Sequence, residues 1–522
     1  MLKKPIFALT VATLSALLGS VAGVAAVSTV QVSGPSPTAA CATQDAGQPG
    51  RNYLNAEVEP QIAVHGQNII GMFHQDRWSN GGAHGIGVSV STDGGSSWSE
   101  SAWPADMCAP GTPSSLNFYA RNSDPWVSFG PDGTAYASAL SFNVNNNFNA
   151  VAAGVWRKST GWTDMQPIPG SVFTLTQQGT DKNATTADPV KVGYAYTVWD
   201  TLILPTDNPR DFPHTSSYTG PAYFSKTNDG GKTWSDARVI IGTNTRQQTI
   251  GNIIVVDPRN GTLYDFTDLI VPPNTPRQGV RSNAELAFVK STDGGDTWTQ
   301  PQVIAPFNSL GVQDPNTGEP LRVGDGLEEV AIDPANGNLY AVWESSSSYQ
   351  KQLKQSRAAF DDQVSFTRST DGGGTWSAPA VIHTAGGMPT FTPTVAVNGG
   401  RLAVTYYDSR YLQPGQTANM PTDYWVEFSN DGGATWGGEE RITATSFDVR
   451  TAPVARGFFL GDYEGLQPDG SGFRAIFVKT NCNSTDPGGQ VFPSGGPCAA
   501  ASSNVAPTAN MDPTDVFVSS LS

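Results

Sequence analysis

The chain has 522 residues, of which 46 are acidic and 30 are basic, so its formal net charge is −16 at pH 7. This acidic balance argues against nucleic acid or an anionic membrane surface as a partner. The N-terminus combines Lys3 and Lys4 with an apolar run over 6–18 and small residues up to Ala26, the pattern of a cleavable secretory signal over 1–26. No later apolar run is long enough to span a bilayer. We therefore expect a secreted, extracellular protein without a membrane span.

Residues 27–52 are rich in Ser, Pro, Ala and Gly and show no periodicity, which predicts a flexible linker before the folded domain. The chain has four cysteines, Cys41, Cys108, Cys482 and Cys498. An even number fits an oxidising destination, and neither their spacing nor nearby histidines indicate zinc. Of the three pairings that four cysteines allow, we favour Cys41 with Cys108 and Cys482 with Cys498.

One octet, Ser/Thr-x-Asp-Gly-Gly-x-Ser/Thr-Trp, occurs five times along the chain. Each copy follows an alternating, strand-like run and precedes a short segment, so each predicts a hairpin turn. The two glycines supply positive φ, the aspartate accepts hydrogen bonds from turn N–H groups, and the tryptophan can pack against a neighbouring unit. This is a structural role. The copies are Ser91 to Trp98, Thr227 to Trp234, Ser291 to Trp298, Ser369 to Trp376 and Ser429 to Trp436.

The octet resembles the Asp box, or BNR repeat, of the sialidase-like β-propellers. The resemblance implies a β-propeller fold in which the octet aspartates are structural. It implies no single activity, because that superfamily contains sialidases, other glycosidases, lyases and non-enzymatic binding proteins. The corresponding aspartates are Asp93, Asp229, Asp293, Asp371 and Asp431.

From residue 53 onward the chain repeats one order of elements: strand, tight turn, strand, long loop, strand, octet turn and short strand. The second unit lacks an octet. We therefore predict one all-β domain over 53–522, a β-propeller of four-stranded antiparallel blades. Seven blades is the favoured count, and six, with the last unit as an appendage, is the alternative. The last unit lacks a fourth strand, and the segment 52–58 is predicted to supply it.

In such a meander, the octet turns share one face with the tight turns between first and second strands. The opposite face receives the long loops, the starts of the first strands and the ends of the second strands, so we expect the functional site there. Carboxylates at these strand ends can form a glycosidase-type acid/base pair. The candidate catalytic carboxylates are Glu57, Glu59, Asp76, Asp124, Asp181, Asp325, Glu328 and Asp462.

Other side chains at the same strand ends are candidates for substrate binding. The arginines among them would position an anionic or hydroxyl group, and the tryptophans would offer flat faces to sugar rings, although packing between blades explains the tryptophans equally well. His74 and His84, which flank the first long loop, are candidates for a base, with a surface role as the alternative. The substrate-binding candidates are Arg77, Arg121, Trp199, Trp343, Asp408 and Arg410.

The resemblance to sialidases implies one further catalytic residue. Tyr463, followed by Glu464, looks like the tyrosine nucleophile of that family, which a glutamate assists. The family's Arg-Ile-Pro segment, whose arginine grips the substrate carboxylate, is absent, and Glu-Pro-Gln-Ile stands in that region at 59–62. A true sialidase is therefore one alternative, and a different sugar specificity is the other.

The leading hypothesis is a secreted glycoside hydrolase that acts on an extracellular polysaccharide or glycoconjugate through carboxylate acid/base chemistry. The alternative is a non-catalytic propeller whose loop-rich face binds a glycan or a protein. The hydrolytic chemistry requires no cofactor, although the acidic loop over 314–325 would suit a structural calcium ion. We expect a monomer.

Overall fold

The computed structural model describes residues 27–39, 41, 48–146, 148–174, 178–205, 218–271, 283–349, 360–383, 385–481 and 513–522. The predicted signal segment 1–26 and the predicted Cys482–Cys498 pair lie outside the described residues. Within them the regular structure is almost entirely β, with two short 3-10 turns at Ala385–Gly387 and Val449–Thr451. The all-β prediction is confirmed.

In the described residues, most strands fall into seven antiparallel groups of four, numbered here as units 1 to 7. Unit 1 contains Val58–His65, Asn68–Trp78, Ala83–Ser91 and Ser99–Ala102, and unit 2 contains Arg121–Phe129, Ala135–Phe142, Asn149–Arg157 and Gly161–Pro167. Unit 3 contains Gln178–Ala187, Ala195–Ile203, Ala222–Thr227 and Arg238–Ile241, and unit 4 contains Gln248–Val256, Leu263–Val271, Asn283–Ser291 and Gln302–Pro306. Unit 5 contains Glu328–Ile332, Leu339–Ser345, Gln363–Ser369 and Ala380–Val381. Unit 6 contains Thr390–Asn398, Arg401–Asp408, Pro421–Ser429 and Gly437–Arg441, and unit 7 contains Gly465–Asp469, Gly472–Thr480, Thr514–Leu521 and Thr29–Gln31.

Short extra strands join these units. Asn52–Tyr53 pairs with the second strand of unit 1, and Phe447–Asp448 pairs with the third strand of unit 6. A small sheet of Val312–Gln313, Pro320–Arg322 and Phe458–Phe459 connects the loop between units 4 and 5 to the segment that precedes unit 7.

The units pack side by side through their first strands. The first strand of each unit contacts the first strand of the next, and the first strand of unit 7 contacts that of unit 1. Apolar side chains fill the space between neighbouring units, as where Tyr340 and Phe366 of unit 5 meet Val395 and Trp425 of unit 6. Burying these apolar faces is the main favourable contribution to such packing. Among the described residues, no helix has the length and apolar character needed to cross a membrane.

The two ends of the chain meet in unit 7. Thr29–Gln31 pairs antiparallel with the C-terminal strand, with Thr29 opposite Ser519 and Gln31 opposite Phe517. The prediction that 52–58 would supply this strand was wrong, because Asn52–Tyr53 instead extends unit 1. The closing strand lies inside the segment predicted to be a linker.

A disulfide fixes this N-terminal segment to the rest of the protein. Cys41 and Cys108 are bonded, with their Cα atoms 5.6 Å apart, which confirms that predicted pair. Cys108 lies in the loop between units 1 and 2, so the bond ties the chain that follows the closing strand to the scaffold.

The octets form the predicted hairpin turns. In the fourth copy, Asp371 accepts hydrogen bonds from the Ser369 hydroxyl at 2.9 Å and from the main chain and hydroxyl of Thr375 at 2.8 and 2.7 Å. Gly373 has a φ of 84°, and a Cβ there would lie 2.6 Å from the ring of Phe288 in the preceding unit, so only glycine fits. Trp376 packs edge-on against the same Phe288. The predicted packing between neighbouring units is therefore confirmed.

The strand register separates the octets from the opposite end of the sheet. In unit 1, Ser91 at the start of the octet pairs with Ile69, whereas Val58 at the beginning of the first strand pairs with His74. Ile69 lies at the start of the second strand, Asn68–Trp78, whereas His74 lies in its second half. The octets and the starts of the first strands therefore lie on opposite faces, as the sequence predicts.

Candidate functional site

The first strands of five units share a β-bulge near their starts. The pairing register breaks between Val58 and Gln61, and equivalent breaks occur in units 2, 3, 4 and 6. Each bulge holds one residue with positive φ, and such bulges re-aim a side chain, at a cost in strain when the residue is not glycine. The residues are Glu59 at 54°, Asp124 at 52°, Lys182 at 34°, Gly251 at 83° and Thr392 at 49°.

Three of these bulge residues line one cavity of about 710 Å³ at the loop-bearing ends of the strands, called the axial cavity below. A cavity of this volume is within the usual range for small-molecule and sugar sites. The structure brings together six residues that the sequence predicts: Glu59, Arg77, Asp124, Asp181, Asp325 and Asp462. It adds three basic residues that were not among the predicted site residues: Lys182, Arg322 and Arg456.

A buried histidine connects two of the cavity carboxylates. His74 Nε2 lies 2.9 Å from Glu59 Oε2 and 2.9 Å from the main-chain nitrogen of Asp124. The Ser123 hydroxyl is 3.3 Å from the same nitrogen. One carboxylate oxygen from each of Glu59 and Asp124 and one ring nitrogen of His74 all lie within 4.8 Å of one another. His74 is fully buried, so the surface role considered for it was wrong.

The environments of the two carboxylates shift their pKa values in opposite directions. Burial raises the pKa of Asp124 well above its usual range, and the negative charges of Glu59 and Asp181 raise it further. Burial also pushes the pKa of Glu59 upward, but His74, Arg77 and Arg322 together outweigh burial and hold it below its usual range. Asp124 therefore favours the protonated form and Glu59 the ionised form.

Arg322 is a cavity residue that sequence reasoning missed. It lies on the loop between units 4 and 5, and its guanidinium forms a two-point ion pair with Asp462, with Nε 3.1 Å from Oδ1. The same guanidinium stacks on the ring of Phe459 at 4.5 Å. Arg77 also faces this ring, at 4.8 Å, and donates to the Gly82 carbonyl at 2.6 Å. Both arginines therefore place positive charge at the cavity wall.

Lys182 lies beside the carboxylates on two aromatic faces. Its Nζ is 4.2 Å from the ring centre of Trp126 and 4.0 Å from that of Tyr463, within cation–π range. The residue is 4% exposed, and Nζ has no hydrogen-bond partner among the described residues. Its charge lowers the pKa of both Asp124 and Asp181, although burial dominates and keeps both raised.

The predicted pairing of Tyr463 with Glu464 does not occur. The Tyr463 hydroxyl lies 3.4 Å from the Pro125 carbonyl, while Glu464 accepts a hydrogen bond from Tyr407 at 2.8 Å. Successive side chains on an extended segment point to opposite sides, so neighbours in sequence are kept apart. Burial raises the pKa of Tyr463 well above its usual range, which disfavours a phenolate nucleophile.

Three predicted catalytic carboxylates lie outside the axial cavity. Asp76 holds the N-terminal segment, since it accepts from the hydroxyls of Ser36 at 2.7 Å and Thr38 at 3.0 Å and lies 3.1 Å from His84 Nδ1. Glu57 is fully buried and accepts from Gln75 at 2.5 Å. Glu328, the third, is buried at the start of unit 5. His84, like His74, is buried rather than at the surface.

Three predicted substrate-binding residues are structural. Arg121 stacks on Trp78 at 4.1 Å and donates to the Gly81 carbonyl at 2.8 Å, so it fixes the loop of unit 1. Trp199 is fully buried against Tyr223, and Trp343 donates to the Phe307 carbonyl at 3.2 Å. For both tryptophans the packing interpretation is the correct one.

Asp408 and Arg410 lie together with groups from two units, called the rim cluster below. Arg410 donates to Asp408 at 2.8 Å and to each of the two oxygens of Glu439 at 2.7 Å. Its guanidinium stacks on the ring of Trp425 at 3.6 Å. His383 Nδ1 lies 3.2 Å from Glu439. None of these residues lines the axial cavity. Asp408 and Arg410 therefore lie apart from the axial cavity, and their role in substrate binding stays a prediction.

The acidic loop at 314–325 does not leave its first carboxylate free for calcium. Asp314 forms a close ion pair with Arg450 and accepts from the main chain of Asn316 at 2.8 Å. Among the described residues, His383 and Glu439 of the rim cluster, together with the neighbouring Glu427, are spaced closely enough for a metal ion. Glu59, His74 and Asp124 are equally close, but the contacts of His74 account for their spacing.

No protein-family model matches the chain. A curated sialidase of Bacteroides fragilis (strain YCH46) is 23% identical over 241 residues, which cover 44% of this chain and 42% of that protein. The solved structure of polysaccharide lyase Uly1 is 9% identical with a TM-score of 0.53, covering 95% of this chain and 99% of that one. The phage phi92 endosialidase is 11% identical with a TM-score of 0.46, covering 95% of this chain and 69% of that one.

The matches to the curated sialidase and to Uly1 support the sialidase-like β-propeller superfamily, at low identity. The match to Uly1 extends over almost the whole of both chains and concerns the fold alone. In the residues that the structure describes, the axial cavity lies at the face opposite the octets and is built from the bulged starts of the first strands.

Proposed function

We propose that the protein is a glycoside hydrolase whose acid/base pair is Asp124 and Glu59. The observation that carries this proposal is the opposed pKa shift of two neighbouring carboxylates in one cavity. Carboxylates whose environments push their pKa values apart can act at the same pH as a proton donor and an ionised base or nucleophile.

In the proposed reaction, protonated Asp124 donates its proton to the glycosidic oxygen as the bond to the leaving group breaks. Ionised Glu59 stabilises the positive charge that develops on the sugar, or attacks it to form a glycosyl intermediate. One carboxylate oxygen of Glu59 and one of Asp124 lie within 4.8 Å of each other. Retaining glycosidases hold their carboxyl groups about 5 Å apart, so this spacing favours retention of configuration.

Several features support a carbohydrate as the substrate. A relative of this chain is named a sialidase, and a protein of the same fold is named a polysaccharide lyase. We further propose that units 1 to 7 are seven blades of one ring, since their first strands contact one another in cyclic order. The proposed protein is secreted and monomeric and uses no cofactor in the reaction.

The test is hydrolysis of a panel of fluorogenic glycosides, including a sialoside, by the wild type and by Asp124→Asn and Glu59→Gln variants. We expect turnover of at least one member and its loss in both variants. Asp132→Asn, an exposed turn residue of unit 2, is the matched control and should keep full activity. Absence of turnover on every glycoside by folded wild-type protein would contradict the proposal.

The second candidate function is a non-catalytic propeller that binds a glycan or a protein. The observation in its favour is that several predicted catalytic carboxylates are already engaged, Asp462 by Arg322 and Asp76 by hydroxyl groups. Retained binding on a glycan array, together with no turnover on the panel, would support this candidate.

The same glycoside panel also tests whether Tyr463 acts as a sialidase-type nucleophile. Tyr463 donates no hydrogen bond to a carboxylate among the described residues, so we expect Tyr463→Phe to leave the turnover number on any cleaved glycoside within about threefold of wild type. Loss of sialoside release in this variant would instead restore the tyrosine nucleophile.

A further inference from the structure

Among the residues that the structure describes, only the side chain of His74 has a single atom within hydrogen-bond distance of both Glu59 and Asp124, the proposed acid/base pair. Its Nε2 is 2.9 Å from Glu59 Oε2 and 2.9 Å from the main-chain nitrogen of Asp124. The other ring nitrogen, Nδ1, is buried and has no hydrogen-bond partner among the described residues. Every polar contact of the ring is therefore concentrated on Nε2.

These two contacts require opposite protonation states of Nε2. A main-chain N–H always donates, so Nε2 can accept from Asp124 only when it carries no proton. It can donate to ionised Glu59 only when it carries one. The position of a single proton between His74 and Glu59 therefore decides whether the main chain of Asp124 is held by the ring.

The backbone conformation at Glu59 and Asp124 links the bond to His74 with the position of the acid. Glu59 and Asp124 occupy bulges with φ of 54° and 52°, a strained conformation that neighbouring contacts must hold in place. The carboxylate of Asp124 accepts no hydrogen bond from a described residue, so its placement depends on its main chain and on that bulge. A change in the bond to His74 therefore moves the acid directly.

We propose that His74 is a positioning residue that couples Glu59 to Asp124 through Nε2, so that the acid and the base of the site do not act independently. The kinetic consequences of this inference rest on the proposed function. The hydrogen-bond coupling between Glu59, His74 and Asp124 does not. His74 is fully buried and is not among the residues that line the axial cavity, so we treat it as a positioning residue and not as a catalytic one.

The first test is spectroscopic and needs no substrate. In protein labelled with 15N at its five histidines, the ring nitrogens of His74, assigned by their loss in His74→Gln, report which nitrogen carries the proton. We expect Glu59→Gln to shift these signals. Asp325→Asn, a cavity carboxylate without contact to His74, should leave them unchanged. Signals of His74 that do not respond to Glu59→Gln would overturn the inference, whether or not the protein hydrolyses any glycoside.

The second test is kinetic and uses a double-mutant cycle. We expect His74→Gln to lower kcat about 10- to 100-fold with KM within about threefold, because the glutamine amide cannot gain or lose the proton that links the two partners. In an Asp124→Asn background, the same change should lower the residual rate by less than about threefold, since the residue it positions no longer acts as an acid. Equal losses in both backgrounds would overturn the coupling.

A matched control separates this role from simple stabilisation. His84 is also buried in unit 1, but it contacts Asp76 and not the proposed pair. His84→Gln should lower the melting temperature and leave kcat unchanged. If His84→Gln lowers kcat as much as His74→Gln does, loss of stability explains both effects and the inference fails.

Discussion

Aspartate has different roles on the two faces of this protein. On the octet face, Asp371 is exposed and surrounded by donors, and the hydrogen bonds from Thr375 and Ser369 lower its pKa to about 2. In the axial cavity, Asp124 is buried and receives no hydrogen bond from a described residue, and burial raises its pKa well above the usual range. The residue type is the same, and its surroundings decide whether it stabilises a turn or remains available for proton transfer.

The two faces also differ in which residues adopt a positive φ. In the octets, positive φ is assigned to glycines such as Gly372 and Gly373, where it carries no steric penalty. In the cavity, positive φ falls on Glu59, Asp124 and Lys182, where it is strained. Strain that is avoided in the repeated turns is tolerated at the face where the bulges aim charged side chains into one cavity.

The largest effect that this comparison predicts is on catalysis. Asp124→Asn removes the proton donor while preserving shape, so we expect kcat to fall about 10²- to 10⁴-fold with little change in melting temperature. The measurement is initial rate on the best glycoside of the panel, with a thermal melt on the same sample. A variant that keeps more than about a tenth of wild-type kcat would show that Asp124 is not the acid.

The pH profile tests the same carboxyl group in the wild type. A general acid with a raised pKa is active while protonated, so kcat/KM should stay high from acidic pH towards neutrality and fall as the pH rises through that raised pKa. The expected decline is about tenfold per pH unit above it. A profile that already falls near pH 4, the range of an unperturbed aspartate, would contradict the burial effect on Asp124.

The next effect concerns stability without catalysis. Cys41 and Cys108 are 67 residues apart, and removing a cross-link of that span costs about 2 to 4 kcal/mol in free energy of unfolding. We expect the double variant Cys41→Ser/Cys108→Ser to unfold at lower temperature and to retain wild-type kcat at 25 °C. A large loss of kcat in a variant that is still folded would mean that the N-terminal segment shapes the axial cavity as well as closing unit 7.

Sequence reasoning predicted the features that recur or that follow from strand alternation. The octets could be recognised because their aspartate–hydroxyl spacing is local, and Asp124, Asp181 and Asp462 were placed at the cavity because each lies close to the start of a unit. The bulges were not predictable from alternation. They place positive φ at Glu59, Asp124 and Lys182, three residues that line the axial cavity.

The two main misses depend on contacts between distant parts of the chain. Arg322 meets Asp462 across 140 residues, from a loop that carries no repeat and no local pattern. The closing strand Thr29–Gln31 has only three residues, too few for alternation to show against the Ser- and Pro-rich sequence that surrounds it. In both cases the decisive partner is supplied by the fold, and neither segment indicates it alone.

The smallest predicted effect is at the octets, where five copies share the structural work. Asp371→Ala removes the acceptor for three donors in one exposed turn, so we expect the melting temperature at pH 7 to fall on the order of 1–3 °C with no change in kcat. Because the folded pKa of Asp371 is lowered to about 2, its stabilising contribution is present above about pH 4 and is lost as the pH falls through 2. Thermal melts from pH 3 to 7 should therefore show a constant difference between wild type and variant above pH 4 and a shrinking one below. A difference independent of pH would mean that the turn depends on its glycines and not on its carboxylate.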